Sequence, residues 1–207
     1  MPENSRAALL RPEQALEAEA GTLADQKPDS NQFATELEGE PSFACDCEEE
    51  ARSACKDEPL YKEHEGRRYC VLHYPGKEKS AAFKEAIQRK LDHEDFDFSR
   101  VWFPGKTSFN GLRFGAVADF SYATFAGPAS FNHATFDAKA NFEHAIFNNA
   151  ASFSNAVFNH GVSFYSAYFS EEAYFTFNST TVSETADFRT VTFDAWTEIN
   201  SATLSGG

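Results

Sequence analysis

A large apolar residue, in most cases phenylalanine, recurs at every fifth or sixth position through the second half of this 207-residue chain, and the two intervals alternate strictly. The first series consists of phenylalanine alone: Phe98, Phe103, Phe109, Phe114, Phe120, Phe125, Phe131, Phe136, Phe142, Phe147, Phe153, Phe158, Phe164, Phe169 and Phe175. A second series, displaced by two residues, follows: Phe177, Val182, Phe188, Phe193, Ile199 and Leu204. A helical period of about 3.6 would scatter these residues around the axis, so the pattern excludes an α-helix here.

A small residue stands two positions before most members of the series: Ala118, Ala123, Ala129, Ala134, Ala140, Ala145, Ala151, Ala156, Ala167, Ala173, Ala186 and Ala202. Side chains alternate between the two faces of a strand, so residues i − 2 and i point the same way. Each Ala-x-Phe unit therefore predicts a very short strand that turns one small and one large residue inward. Turn formers such as Asn148-Asn149 lie between the units.

Strands this short are stable only in stacked coils, ~4.8 Å apart, whose backbones pair with the coils above and below. Equivalent positions stack when the coil length is a multiple of the eleven-residue period. Eleven residues enclose too little room for phenylalanine, so we expect 22 residues and four faces per coil. The 21 positions of the two series then predict about five coils and a rod about 25 Å tall.

The repeats resemble a known family. The run ADFSYATFAGPASFNHATFDAKANFEHAIFNNAASFSNAVF is similar to the pentapeptide-repeat family, in the variant with an extra residue in alternate units. The upstream run YCVLHYPGKEKSAAFKEAIQRKLDHEDFDFSRVWFP resembles a leader found before such repeats in some bacterial members. The resemblance implies an all-β fold, a right-handed quadrilateral β-helix, over residues 95–207.

The chain before the repeats divides into three parts. Residues 1–42 are acidic and poor in large apolar side chains, which predicts a disordered tail. Residues 43–77 form a small module that holds all four cysteines. Residues 78–94 hold a predicted helix, which would cap the rod.

That helix is predicted from about Ser80 to Leu91. Ser80 is a candidate N-cap, and Phe83, Ile87 and Leu91 recur every four residues on one side. We expect this apolar stripe to cover the N-terminal end of the rod. An uncovered terminal coil would expose both apolar interior and unpaired strand edges.

The module contains five candidate metal ligands, with the spacing C-x-C, a single Cys and then C-x-x-H. Structural Zn²⁺ takes four Cys or His ligands in a tetrahedron. We predict a structural zinc site at Cys47, Cys55, Cys70 and His73, with Cys45 as the alternative to Cys47. Unliganded thiols and a disulfide are the other interpretations. The module has few large apolar residues, and a metal would supply the missing stability.

Two groups of surface residues are also candidates. Tyr165, Tyr168 and Tyr174 alternate with inward phenylalanines, so we expect them to point outward near the displacement between the two series. They predict either a partner-binding patch or cross-coil stacking that stabilises the surface. His133, His144 and His160 are expected at outward corners of the coils, apart from one another.

The sequence predicts no enzyme. No Ser/His/Asp set, glycine-rich phosphate loop or pair of carboxylates on one face can be assembled, and a zinc with four protein ligands has no open position. No apolar run is long enough for a membrane span, and no signal peptide is evident, so a cytoplasmic location without membrane contact is expected.

The distribution of charge along the chain distinguishes between two candidate functions. The first is a protein-interaction scaffold. The second, suggested by the resemblance, is DNA mimicry that modulates DNA gyrase, a type II topoisomerase. A rod about 25 Å tall would need roughly 15 negative charges to match B-DNA. Residues 101–207 carry 9 acidic and 4 basic side chains, a net charge of −5. Most of the formal charge of −14 lies in residues 1–51, so the scaffold is favoured.

The partner of such a scaffold is predicted to be another protein. Direct nucleic-acid binding is not expected, because the repeats have no basic face. The second series runs to Leu204 without a capping helix after it. An uncovered coil can pair with another strand edge, so we expect either a homodimer through this coil or a chain that is a fragment of a longer one.

Overall fold

The computed structural model describes residues 45–47, 52–56 and 58–205. These residues fall within one compact unit, 42–207. The predicted disordered tail, residues 1–42, lies outside the described residues. Within the described part, the helices are too short or too polar to span a bilayer.

A small module begins the described chain. It contains the helical turn α1 (Arg52–Cys55) and an antiparallel hairpin of β1 (Leu60–His64) and β2 (Arg67–Cys70). Glu65 and Gly66 connect the two strands with φ of 50° and 75°. Two consecutive residues with positive φ suit a tight hairpin turn, whose twist matches that of the strands.

A short 3₁₀ helix, Lys77–Lys79, leads directly into the helix α2 (Ser80–Asp92). The prediction that Ser80 is the N-cap is wrong. Lys79 holds the N-cap position in a helical conformation and provides no side-chain cap. Because the chain is already helical at Ser80, its hydroxyl instead donates a hydrogen bond to the Lys77 carbonyl, at 2.8 Å.

The strands of the rest of the chain form four parallel sheets, as the 22-residue spacing predicts. The first contains β3 (Trp102–Phe103), β7 (Thr124–Phe125), β11 (Ile146–Phe147), β15 (Tyr168–Phe169) and β19 (Thr192–Phe193). The second contains β4 (Thr107–Ser108), β8 (Ala129–Ser130), β12 (Ala151–Ser152), β16 (Tyr174–Thr176) and β20 (Trp196–Glu198). The third contains β5 (Arg113–Phe114), β9 (Thr135–Phe136), β13 (Val157–Phe158), β17 (Thr181–Val182) and β21 (Thr203–Leu204). The fourth contains β6 (Ala118–Asp119), β10 (Ala140–Asn141), β14 (Val162–Ser163) and β18 (Ala186–Asp187).

The alternation of five and six residues has a structural cause at the corners. In most five-residue intervals a turn is closed by a hydrogen bond, as from the Ala123 amide to the Phe120 carbonyl at 3.1 Å. The third residue of such a turn has φ between 53° and 66°, which suits a type II turn. These turns form two columns: Arg100, Tyr122, His144, Ser166 and Thr190, and Gly111, His133, Asn155, Ser179 and Ser201.

The phenylalanines fill the interior as stacked columns. In the first sheet, Phe125 lies between Phe103 and Phe147, with ring centroids 4.5 and 4.7 Å apart and interplanar angles of 6° and 3°. The side chains are fully buried. Since Phe103 pairs with Phe125, and Phe125 with Phe147, the 22-residue coil is confirmed.

The displacement between the two phenylalanine series lengthens one coil to 24 residues. Ala151 pairs with Ala129 in the preceding coil but with Phe175 in the following one. Phe175 therefore occupies the position that alanine has in the earlier coils, and Phe177 occupies the position of the large residue. Smaller residues follow at the next face, where Val182 pairs with Phe158. The reduction in side-chain volume there offsets the extra ring of Phe175.

The helix α2 covers the N-terminal end of the rod. The Phe83 ring meets Phe103 of the first coil edge to face, with centroids 5.5 Å apart. Lys90 of the same helix is buried as well, and its Nζ lies 5.8 Å from the centre of the Phe98 ring. Ile87 and Leu91 are half-buried against the same core. This packing agrees with the expected capping stripe, except that Lys90 contributes to the buried face as well.

Gly127 is predicted to tolerate no side chain. A Cβ at this position would lie 2.7 Å from the carbonyl carbon and 2.9 Å from the Cα of Gly105 in the preceding coil. We expect Gly127→Ala to lower the free energy of unfolding by about 1–3 kcal/mol, because the two backbones must move apart. Gly115→Ala is the matched control, since nothing lies within 4 Å of its Cβ. Equal effects in chemical denaturation would contradict the prediction.

Candidate metal centre

Four segments of the N-terminal module bring their cysteine and histidine side chains close together. Cys55 is the last residue of α1, Cys70 the last residue of β2, and His73 lies in the turn that follows β2. Cys45 lies alongside the end of β2, where its Sγ accepts a hydrogen bond from the Cys70 amide at 3.2 Å. The neighbouring Asp46 amide donates to the Arg68 carbonyl at 2.7 Å and fixes this register.

The four side chains lie close enough together to hold one metal ion. All four residues are buried, and one ligand atom from each lies within 4.8 Å of the others. A tetrahedron with Zn–S bonds of about 2.3 Å places sulfur atoms about 3.8 Å apart. Cys45 Sγ and Cys70 Sγ lie 3.7 and 3.5 Å from His73 Nδ1. Three sulfurs and one imidazole nitrogen thus form a cluster of four candidate ligands.

The orientation of the His73 ring fits a metal ligand. Its Nε2 lies 3.2 Å from the Ser99 carbonyl oxygen. A carbonyl oxygen only accepts, so Nε2 carries the proton and donates it. In the neutral imidazole this leaves the lone pair on Nδ1, which faces the sulfurs. Metal-binding histidines commonly donate their other ring N–H to a carbonyl in this way.

The thiols and His73 shift the pKa values of one another when no metal is bound. Hydrogen bonds from Cys55 and Cys70 lower the pKa of the Cys45 thiol, whereas hydrogen bonds with Cys45 and Cys70 raise the pKa of the Cys55 thiol. Burial by itself would lower the pKa of His73, but hydrogen bonds with Cys45, Cys47 and Cys70 raise it to about 12. The metal-free centre therefore holds protons that a bound cation would displace.

Lys79 lies next to this centre and is 1% exposed. Its Nζ donates a hydrogen bond to the Leu72 carbonyl at 2.9 Å and lies 4.6 Å from the centre of the Phe83 ring. Burial lowers the pKa of Lys79 to about 7, and the charges of Cys70 and Cys45 oppose this shift. A divalent cation with three thiolates leaves one net negative charge, which a lysine cation would balance. No sequence signal marks Lys79, because lysine is usually exposed.

The structure groups Cys45, the stated alternative to Cys47, with Cys55, Cys70 and His73, so Cys45 is the better candidate for the fourth ligand. The backbone bonds of Cys45 and Asp46 to β2 place the Cys45 sulfur inside the cluster. The chain bends after Cys45, which leaves Cys47 half-buried at the edge of the set. Its Sγ lies 3.6 Å from Cys55 Sγ.

The three tyrosines of the predicted patch point outward. They lie on two neighbouring sheets and a corner, with 36–40% of each residue exposed. Each contacts the following coil: Tyr165 the Arg189 guanidinium, Tyr168 the Asp194 carboxylate and Tyr174 the Glu198 carboxylate. These contacts favour the interpretation as surface stabilisation, and the partner-binding patch stays a prediction.

The three candidate histidines of the repeats are not brought together. His133 and His144 occupy the two different columns of corner turns. His144 stacks on Tyr122, with ring centroids 4.6 Å apart. His160 Nδ1 lies 2.9 Å from a Glu184 carboxylate oxygen on the following coil. The side chains of His144 and His160 therefore have separate neighbours on the surface.

Comparison with known proteins supports the interpretation of the repeats. A family model described as pentapeptide repeats (9 copies) matches residues 120–167. No curated protein and no solved structure matches the chain. The matched residues form two stacked coils of the four-sided rod described above. Residues 120–167 are therefore similar to the pentapeptide-repeat family.

Proposed function

We propose that this protein is a non-enzymatic interaction scaffold that binds a second copy of itself through its last described coil. The observation that carries the proposal is the exposure of inward-facing apolar residues there. Ile199 and Leu204 are 50% and 56% exposed, whereas the equivalent Phe177 and Val182 of the coil below are 1% and 0% exposed. Trp196, on the same coil, is 73% exposed.

The strand edges of this coil support the same proposal. Within the described residues, β18, β19, β20 and β21 each have one neighbouring strand and an open edge on the other side. A second copy offers the same edges and the same apolar side chains. A two-fold contact of this kind gives a closed dimer, since each surface patch meets the same patch of the second copy. Burying Ile199 and Leu204 would add a hydrophobic contribution to the backbone pairing.

Light scattering tests this proposal. We expect the native chain to be a dimer and Leu204→Lys to be a monomer, because the substitution places a charge within the contact. Val117→Lys is the matched control, since Val117 is also 56% exposed but lies in an earlier coil. A native chain that stays monomeric at high concentration would contradict the proposal, as would dissociation by Val117→Lys alone.

We infer further that the candidate metal centre binds a structural zinc ion. Three cysteines and one histidine are a common ligand set of structural zinc sites. The ligands come from α1, from β2 and from the chain on either side of the hairpin, so one ion would join all parts of the small module. His73 would also link this module to Ser99, at the start of the first coil.

Mimicry of DNA is the weaker alternative. Several acidic side chains of the repeats pair with basic side chains on the surface: Asp137 with Arg113, Asp187 with Arg189 and Glu143 with Lys139, while Glu184 contacts the His160 ring. A surface of paired charges does not present the regular array of phosphates that a DNA-binding enzyme such as gyrase recognises. The charge distribution therefore favours a scaffold over a gyrase modulator.

A further inference from the structure

Cys47 differs from the other cysteines of the module in exposure and position. Cys45, Cys55 and Cys70 are buried and belong to the four-ligand set, whereas Cys47 is half-buried beside it. Cys47 Sγ lies 3.6 Å from Cys55 Sγ. A disulfide requires about 2.05 Å, so a movement of about 1.6 Å would join the two sulfurs.

We propose that Cys47 and Cys55 form a peroxide-responsive disulfide that removes one ligand from the metal centre. The metal part of this inference rests on the proposed zinc site. The disulfide itself depends only on the two sulfurs. Cys47 is the reactive partner because it is the most accessible cysteine of the four, and oxidation requires access of the oxidant.

The chemistry has two balanced steps, with hydrogen peroxide as the oxidant. The Cys47 thiol reacts with one peroxide molecule to give a sulfenic acid and one water molecule. The Cys55 thiolate then attacks the sulfenic sulfur, forms the S–S bond and expels hydroxide, which takes a proton to become a second water molecule. The two thiols lose two electrons, and the peroxide O–O bond accepts them.

The structure gives this step a consequence for the metal. Loss of Cys55 leaves Cys45, Cys70 and His73 as ligands from the original set. Cys55 also ends α1, whose Ala54 carbonyl accepts a hydrogen bond from the buried Lys90 Nζ at 3.1 Å. Formation of the disulfide would therefore remove a metal ligand from the residue that directly follows this contact between α1 and the capping helix α2. A thiol reductant would restore the fourth ligand.

The test treats the full-length protein with hydrogen peroxide and follows zinc release with a chromogenic chelator, while peptide mapping identifies the disulfide. We expect a Cys47–Cys55 disulfide to appear at the same rate as zinc is released, and a thiol reductant to reverse both. In Cys47→Ser we expect zinc release about tenfold slower, because the three buried thiols must react without an accessible partner. Cys47→Ala should behave in the same way, which would show that the introduced serine hydroxyl does not cause the slower zinc release.

Each outcome of this experiment bears on the proposal. Equal rates of zinc release in the native chain and in Cys47→Ser would overturn it. A disulfide between two of Cys45, Cys55 and Cys70 in the native chain would overturn it as well. A purified protein that takes up no zinc would contradict the zinc site. A Cys47–Cys55 disulfide formed by peroxide in that protein would still support the redox reaction of these two thiols. The absence of this disulfide would refute that reaction.

Discussion

Replacement of Phe142 by alanine should lower the free energy of unfolding by about 3–5 kcal/mol. The Phe142 ring is fully buried and lies between Phe120 and Phe164, with centroid distances of 4.9 and 5.0 Å. It also meets Phe131 and Phe153 edge to face at 5.3 Å each. Truncation removes contacts to three successive coils, and the hydrogen-bonded coils cannot collapse into the cavity.

Chemical denaturation followed by circular dichroism measures this effect. Asn148→Ala is the control, because Asn148 is exposed on the next unit and only its backbone amide bonds to the coil below. We expect the control to change the free energy of unfolding by less than about 0.5 kcal/mol. A loss below about 1 kcal/mol for Phe142→Ala would show that the phenylalanine columns contribute little to stability.

Replacement of Cys70 by serine should abolish zinc binding. Cys70 is fully buried, and its sulfur lies within the four-ligand set. Structural zinc sites contribute an apparent binding free energy of about 10–16 kcal/mol, which is lost in large part when one thiolate is removed. We expect one zinc ion per native chain and less than about one tenth of that in the variant. Elemental analysis of the purified proteins measures the ratio.

Cys47→Ser is the matched control, because Cys47 lies beside the cluster but outside the four-ligand set. It should keep its zinc, whereas Cys45→Ser should lose it. Retention of zinc by Cys45→Ser together with its loss from Cys47→Ser would reverse the assignment of the fourth ligand. Limited proteolysis should then cleave the N-terminal module in whichever variants lack the metal, since the module has few large apolar residues to stabilise it.

The fold of the periodic half of the chain could be predicted, because the spacing that determines it is local in the sequence and is repeated many times. The spacing of the phenylalanines determined the 22-residue coil, and the pairing of Phe103, Phe125 and Phe147 confirms it. The prediction used only the alternation of side chains in strands and the need for equal positions to stack. It also predicted that His133 and His144 lie apart, and the two residues are in different columns of turns.

The point where the two series meet could not be predicted in the same way. The sequence suggested that Ala173-x-Phe175 is one more Ala-x-Phe unit. In the structure the Ala173 amide donates to the Ser170 carbonyl in a turn, at 2.8 Å, and Phe175 pairs with Ala151. The choice between two inward positions for Phe175 depends on the packing of neighbouring coils, which spacing alone does not contain.

The sequence by itself thus determined the four-sided rod, the capping helix and the set of five candidate ligands. Only the tertiary structure shows that Cys45, and not Cys47, lies in the four-residue cluster, because C-x-C spacing allows either sulfur to face inward. The backbone hydrogen bonds of Cys45 and Asp46 to β2 hold Cys45 in this position. The structure also decided the burial of Lys79, whose place beside the cluster depends on contacts between residues distant in the chain.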